Sequence, residues 1–295
     1  EMPKPRVTSV GEILYDVYPD QKRLGGAPFN FIYHVWKIIG QAQFVSSVGN
    51  DENGTELIAY LTKQGFDVSK IFIDDNYPTG TVNVSIDENK VPRFKISSEC
   101  SFDFLTISQE IKNEIEKNTD ILYFGTFSQR GSIARKTIDS LLGYNIKYFC
   151  DLNLRHNFFT KEMIEKALAT VQLLKMNEDE LNKLIEILSL NENDPVAELI
   201  DKYDIDLIAV TRGEKGALLV TKDERNNYVP PQLKVIDTLG AGDAFAAVLC
   251  LGYYYKLPFE KINMLANNFA SQICTINGAI PTDDLQYSIL RNIFT

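Results

Sequence analysis

The strongest constraint on this chain is its rhythm. Short apolar runs with strand character alternate with longer runs of helical period. "RVTSVGEIL" reads as a strand. "PFNFIYHVWKII" reads as a helix from about Pro28, with proline in the first turn, where its missing N–H costs nothing. "QFVSSVG" is again a strand, and "ENGTELIAYLTKQG" a helix closed by Gly65. "DILYFGT" and "SIARKTIDSLLG" repeat the pair, as do "IKYFCDLN" and "KEMIEKALATV"; the short apolar strands "LLKMN" and "DLIAVTRG" follow. "ALLVTKDERNNYVP" reads as a hairpin, and two helices start near Ala241 and Phe259. In the last of these, Phe259, Ile262, Leu265, Ala266, Phe269 and Ile273 recur at helical spacing and predict one buried face. Alternation of this kind predicts a parallel sheet with helices on both sides. One stretch breaks it. "TGTVNVSIDENKVPRFKIS", residues 79–97, alternates with period two, turns at Asp87-Glu88-Asn89, and reads as an inserted antiparallel hairpin. It is either a decorated sheet edge or a small lid over a cleft. No internal repeat, low-complexity stretch or Pro/Ser-rich linker marks a domain boundary.

Composition narrows the function. Hydrophobic residues make up 44% of 295, enough for a sizeable core, and the net charge is -10. An acidic chain with no basic run longer than a pair such as Lys22-Arg23 is a poor partner for nucleic acid, whose phosphates call for clustered Lys and Arg. Cys100, Cys150, Cys250 and Cys274 show no CxxC spacing, which suggests free thiols in a reducing cytoplasm. His34 and His156 lie far apart and near no cysteine pair, which argues against structural zinc. No signal peptide or run of membrane-spanning length is visible, so a cytoplasmic chain with no membrane partner is expected.

Chemistry concentrates in "DTLGAGDAF", residues 237–245. Two glycines remove side chains at a strand-to-helix turn. The N–H groups of Gly240, Ala241, Gly242 and Asp243 then open an apolar helix, where they have no intrahelical partner and the helix dipole adds positive potential. That is an anion site. Asp243 there has two readings, an N-terminal cap or a base beside the anion site. Phosphoryl transfer needs both donors for the moving charge and a base for the attacking hydroxyl, and one turn could supply them. The stretch is not a GxxxxGK[ST] loop, and no such match occurs in the chain.

The same residues resemble the C-terminal signature of the ribokinase-like, or PfkB, family of carbohydrate kinases. "GEILYDVYP" (11–19) and "LGGAPFN" (24–30) are similar to that family's N-terminal sugar-binding segments. "DLNLR" (151–155), "MNEDEL" (176–181), "VTRGEKGALL" (210–219) and "NGAIP" (277–281) fall in its order and spacing, so the likeness spans nearly the whole chain. It implies a three-layer α/β/α fold in one domain, 1–295, with a small β lid from segments near 14–30 and 79–97. It implies ATP as donor, with Mg²⁺ and in many members K⁺, and a sugar as acceptor. Asp243 would be the catalytic base, and Gly240, Ala241 and Gly242 would hold the γ-phosphate. Asp16, Gly25, Gly26, Asn30, Asn153 and Arg155 would meet the sugar or the transferred phosphate, and Arg93 could reach it from the lid. Asn177, Thr211, Gly213, Lys215, Gly216 and Asn267 would border the nucleotide. Glu180 would organise Mg²⁺ through water, and Asp237 and Ala279 would lie beside a monovalent cation. Local alternatives stand beside these roles: a surface turn for Asp16, a surface salt bridge for Arg155, and a capping pair for Asn177 and Glu180.

Phe31, Ile32 and Val248 stand where the family usually has small residues, which suggests repacked helices. "GEILYDVYP", "LGGAPFN" and "DLNLR" most resemble the fructokinase branch, with 2-keto-3-deoxygluconate kinase and ribokinase as alternatives. Of another class, a sugar sensor without turnover is opposed by the intact Gly-Ala-Gly-Asp, and a dinucleotide-binding dehydrogenase by the lack of GxGxxG after the first strand. The exposed edges of the lid could pair between two chains, which points to a homodimer.

Overall fold

The computed structural model describes residues 3–86 and 92–295. The strands in chain order are β1 (Val7–Val10), β2 (Leu14–Val17), β3 (Lys22–Gly25), β4 (Gln43–Gly49), β5 (Ile71–Asp74), β6 (Gly80–Ile86), β7 (Pro92–Ile96), β8 (Ile121–Gly125), β9 (Lys147–Asp151), β10 (Leu173–Asn177), β11 (Leu207–Thr211), β12 (Ala217–Val220) and β13 (Arg225–Tyr228). Nine of them form one sheet in the order β13-β12-β11-β10-β9-β8-β1-β4-β5. From β11 to β5 every neighbouring pair is parallel, while β12 and β13 fold back antiparallel as the predicted hairpin.

The parallel strands are rich in apolar residues and mostly buried because both faces are covered. Alternate residues feed two separate cores. Tyr123, Leu173, Leu207 and Ala209 join Phe29, Phe31, Val248 and Phe269 on one side. Leu122, Phe124, Leu174, Ile208 and Val210 join Ile138, Ile164 and Leu199 on the other. The first core is closed by helices Ala27–Ile39, Ala241–Tyr254 and Phe259–Ile273. The bulky replacements are packing residues: the Phe31 ring stacks on Tyr123 with centroids 3.9 Å apart and meets Phe149 edge-on, and Ile32 and Val248 are fully buried.

Local chemistry sets the helix ends. Gly65 closes helix Glu52–Gln64 in the left-handed region, at φ 83°. At the other end of that helix the Asp51 carboxylate accepts from the Gly54 N–H at 2.8 Å.

A second sheet, β3-β2-β6-β7, stands apart as the lid. The segment "RVTSVGEIL" is not the single strand its hydrophobicity predicts. It splits into β1 of the main sheet and β2 of the lid. The break is at Gly11, where φ is +154° and a side chain would run into the Ser128 hydroxyl and the Pro28 ring. Leu14, Asp16, Val82 and Ile96 of the lid face a cleft, whereas Asn83, Ser85 and Lys95 are exposed. The turn expected at 87–89 and the Arg93 side chain lie outside the described residues; the Arg93 backbone pairs with Ser85. Among the described residues no helix is long and apolar enough to cross a membrane.

Candidate active site

The C-terminal ends of the parallel strands point one way, as they do wherever an open α/β sheet builds a crevice. The chain after β1 delivers Glu12, the end of β9 delivers Asp151, and β10 and β11 deliver Lys175, Asn177 and Thr211. With the lid above them they enclose a cleft of about 760 Å³. A second cleft of about 590 Å³ adjoins it, and Thr211, Thr238 and Gly242 line both.

The junction of the two clefts is the start of helix Ala241–Tyr254. Gly240 is the cap residue, in the left-handed region at φ 75°. A side chain there would collide with the Ala279 methyl, so only glycine makes this turn while touching the 277–279 loop. Asp243, in the first helical turn, makes no capping hydrogen bond. Its Oδ2 instead accepts from the Asn30 amide at 2.8 Å, from the helix that packs alongside. The other end of that amide, Oδ1 of Asn30, is buried without a hydrogen-bond partner among the described residues. Burial, followed by the negative charge of Asp151, raises the Asp243 pKa to about 7, with Asn30, Lys175 and Arg155 opposing.

Three other acids share this environment. Glu12 is 2% exposed and accepts from the Ser128 hydroxyl; burial raises its pKa to about 7. Asp16, on β2, is held up to about 6 by burial, against the pull of Arg155. At Gly25, on the neighbouring β3, a Cβ would sit 2.6 Å from the Asp16 carboxylate. Glu180 is raised by burial and by Asp151. Its two oxygens accept from the Leu154 and Asn177 N–H groups at 2.9 Å each, and the Glu180 N–H in turn donates to Oδ1 of Asn177 at 2.8 Å. The capping pair is therefore formed, and both residues also line the larger cleft.

One buried cation offsets these acids. Lys175 Nζ lies 2.8 Å from Asp151, and both side chains are under one-tenth exposed. Burial works against the ammonium, but Asp151 and Glu180 outweigh it and its pKa is raised. The same Nζ is 3.2 Å from the point where a Gly242 side chain would begin, so the charge reaches the anion turn.

Of the residues singled out from sequence, Asp16, Gly26, Asn30, Asn153, Arg155, Asn177, Glu180, Thr211, Gly240, Gly242 and Asp243 line the larger cleft. Thr211, Gly213, Gly216, Ala241, Gly242 and Asn267 line the second. Lys215 does not line either cleft. Asn153 sits at φ 47°, and its side chain accepts from the Arg155 guanidinium at 2.9 Å. Asp237 and Ala279 lie behind the Gly240 turn, and Asp237 is ion-paired with Arg23 of β3 at 3.2 Å. Sequence reading missed Glu12, Asp151, Lys175 and Arg23. The signal available was a polar residue at or just past the end of an apolar strand for Glu12 and Asp151, and a lone lysine inside a short apolar strand for Lys175.

Comparison with known proteins agrees with this geometry. The model of the "pfkB family carbohydrate kinase" matches residues 4–285. A fructokinase of Salmonella typhimurium is 25% identical, with 83% of each chain covered. Fructokinase-2 of Oryza sativa subsp. japonica is 26% identical, over 93% of this chain and 90% of that protein. Among solved structures, a sugar kinase of Pyrococcus horikoshii in complex with ATP superimposes with a TM-score of 0.82 at 25% identity, covering 97% of this chain and 99% of that one. A three-layer sheet with a β lid, a cleft at its strand ends and a family match over nearly the whole length make this chain a member of the pfkB family of carbohydrate kinases.

Proposed function

We propose that this kinase transfers the γ-phosphoryl group of ATP to fructose, giving fructose 6-phosphate and ADP. The observation that carries the transfer reading is the junction of the two clefts at Gly242, with Asp243 one residue on. The larger cleft, under the lid, takes the sugar, and the second takes the nucleotide. The names of the relatives support ATP and fructose: the Pyrococcus horikoshii structure holds ATP, and the Salmonella and rice proteins are fructokinases.

The sugar hydroxyl is placed against Asp243, whose raised pKa suits proton transfer near neutrality. The hydroxyl oxygen forms a bond to the γ-phosphorus, the bond from that phosphorus to the β–γ bridging oxygen breaks, and the hydroxyl proton goes to the Asp243 carboxylate. The N–H groups of Gly240, Ala241 and Gly242 receive the charge that spreads over the transferred group, and Lys175 adds a full positive charge beside them. Asp16 accepts from sugar hydroxyls, and the free Asn30 Oδ1 accepts another. Gly25 and Gly26 allow the backbone close to the sugar. Asn153 and Arg155 line the same cleft, with Arg155 directed to the phosphate. Thr211, Gly213, Gly216 and Asn267 border the nucleotide.

Among the described residues no cluster of three or more His, Cys, Asp or Glu is arranged to hold a metal. The acids present fit a Mg²⁺ that arrives with the nucleotide phosphates and meets Glu180 through water, since both Glu180 oxygens already accept N–H groups. Bound there, the ion would neutralise phosphate charge.

A coupled ADP-release assay tests the substrate, using fructose, ribose, 2-keto-3-deoxygluconate, adenosine and fructose 6-phosphate. Turnover confined to fructose is expected. Preference for the sugar acid would move the assignment to the keto-acid branch. Pairing between two chains through the lid edges β3 and β7 would give a homodimer; a sedimenting species of only 33.4 kDa would exclude it.

A further inference from the structure

The resemblance drawn from sequence implies a monovalent cation beside Asp237 and Ala279, and the surroundings of the Asp237 carboxylate do not fit one. A cation site needs oxygens turned toward an open position. Here N–H groups address the Asp237 carboxylate. Oδ1 accepts from the Leu239 N–H at 3.0 Å, and Oδ2 accepts from the Gly278 N–H at 3.0 Å and from the Arg23 guanidinium at 3.2 Å. The positive charge is already supplied, from the lid.

The placement of Arg23 is built rather than incidental. Its stem runs over Gly278, where a side chain would begin 3.2 Å from Arg23 Cδ. Gly278 has φ 79°, a conformation that favours glycine, so the channel for the stem and the turn depend on the same residue. The guanidinium lies 4.9 Å from the ring centroid of Tyr18, the residue just after β2, so the turn between β2 and β3 also holds it. Arg23 and Asp237 are each only about one-fifth exposed. Three residues beyond Asp237 comes Gly240, packed on Ala279 of the loop that carries Gly278. The pair thus ties the lid to both loops that support the anion turn.

We propose that Arg23 takes the place of the monovalent cation in this chain, so that the charge holding the 237–240 turn is carried by the lid and the enzyme works without K⁺. Arg23 is then a positioning residue: it fixes the turn that presents Gly240 to Gly242 and couples that turn to lid closure. The inference rests on the family reading for the role of the turn, but its first test needs neither nucleotide nor sugar. Thermal unfolding of the wild type, Arg23→Ala and Arg23→Lys is measured with K⁺ or with tetramethylammonium as the only monovalent cation. The wild type should melt at the same temperature in both. Arg23→Ala should melt several degrees lower in tetramethylammonium and regain most of the loss in K⁺; Arg23→Lys should lie between the wild type and Arg23→Ala. A coupled ADP-release assay then reads function. Wild-type turnover should differ less than about two-fold between the buffers, and Arg23→Ala should gain about ten-fold on adding K⁺, within the usual range of coupling between sites. Strong activation or stabilisation of the wild type by K⁺ would overturn the proposal. So would an Arg23→Ala protein that melts like the wild type in tetramethylammonium. Equal destabilisation of Arg23→Ala and Arg23→Lys in both buffers would also overturn it, because shape rather than charge would then be what Arg23 provides.

Discussion

Replacing Asn30 with leucine removes the amide donor from Asp243 while keeping nearly the same volume. The bond removed is 2.8 Å long and ends on a carboxylate. A hydrogen bond to a charged acceptor is worth about 1.5–3 kcal/mol, and each pKa unit corresponds to about 1.4 kcal/mol. Losing it should raise the Asp243 pKa by about one unit or a little more from its value of about 7. The base must be ionised to accept the hydroxyl proton, so kcat/KM falls on the acid side of this pKa. At pH 7 the carboxylate fraction would drop from about one-half to about one-tenth, a loss of about five-fold from ionisation alone. Loss of the free Oδ1 acceptor lowers kcat/KM further, but by the same factor at every pH. The two effects therefore separate in a pH profile. The acid limb should move to higher pH, and the ionisation part of the loss should vanish by about pH 9. An acid limb that stays in place, with a uniform loss, would refute the assignment of that limb to Asp243. A limb displaced to lower pH would refute the role of the Asn30 donor.

Further outcomes follow from the same site. Lys175→Met leaves the buried Asp151 carboxylate unpaired and should destabilise the fold by about 3–5 kcal/mol in urea unfolding. The double variant with Asp151→Asn should recover most of that stability but not the turnover. Asp16→Ala should raise KM for the sugar roughly 10- to 100-fold, the value of one or two hydrogen bonds to a carboxylate, with nucleotide affinity little changed; equal loss of both would make Asp16 structural. Because the folded-state pKa of Asp243 lies above its ordinary value, its contribution to stability is present at low pH and lost as pH rises through about 7. Asp243→Asn should therefore melt a few degrees above the wild type at pH 8, with the gap closing toward pH 5.

Much of the fold was legible because its signals are local. Pro28, Gly65 and the period of residues 259–273 mark helices, and the alternation at 79–97 marks a lid hairpin, without reference to distant residues. The weakly patterned elements escaped. Helix Gln109–Lys117 buries only Ile115, and β5 is a four-residue strand at the sheet edge. The anion turn was legible for the same reason as the lid, since Gly-Ala-Gly-Asp states its backbone geometry in four letters. What could not be read were pairings set by topology. Lys175 meets Asp151 because β10 lies beside β9 in that register. Arg23 meets Asp237 across 214 residues, because the lid sheet packs beside the 237–240 turn. Glu12 looked like the interior of one strand until the chain proved to leave the sheet at Gly11.

The central claim is that Asp243 removes the proton from the acceptor hydroxyl. The direct measurement is kcat for Asp243→Asn beside its affinity for an ATP analogue, taken by calorimetry on the same preparation. The account predicts unchanged analogue binding and a loss of at least ~10²-fold in kcat, since asparagine keeps the size and the contact with Asn30 but cannot take a proton. Near-normal turnover with intact binding would contradict it and leave the carboxylate with a structural task alone.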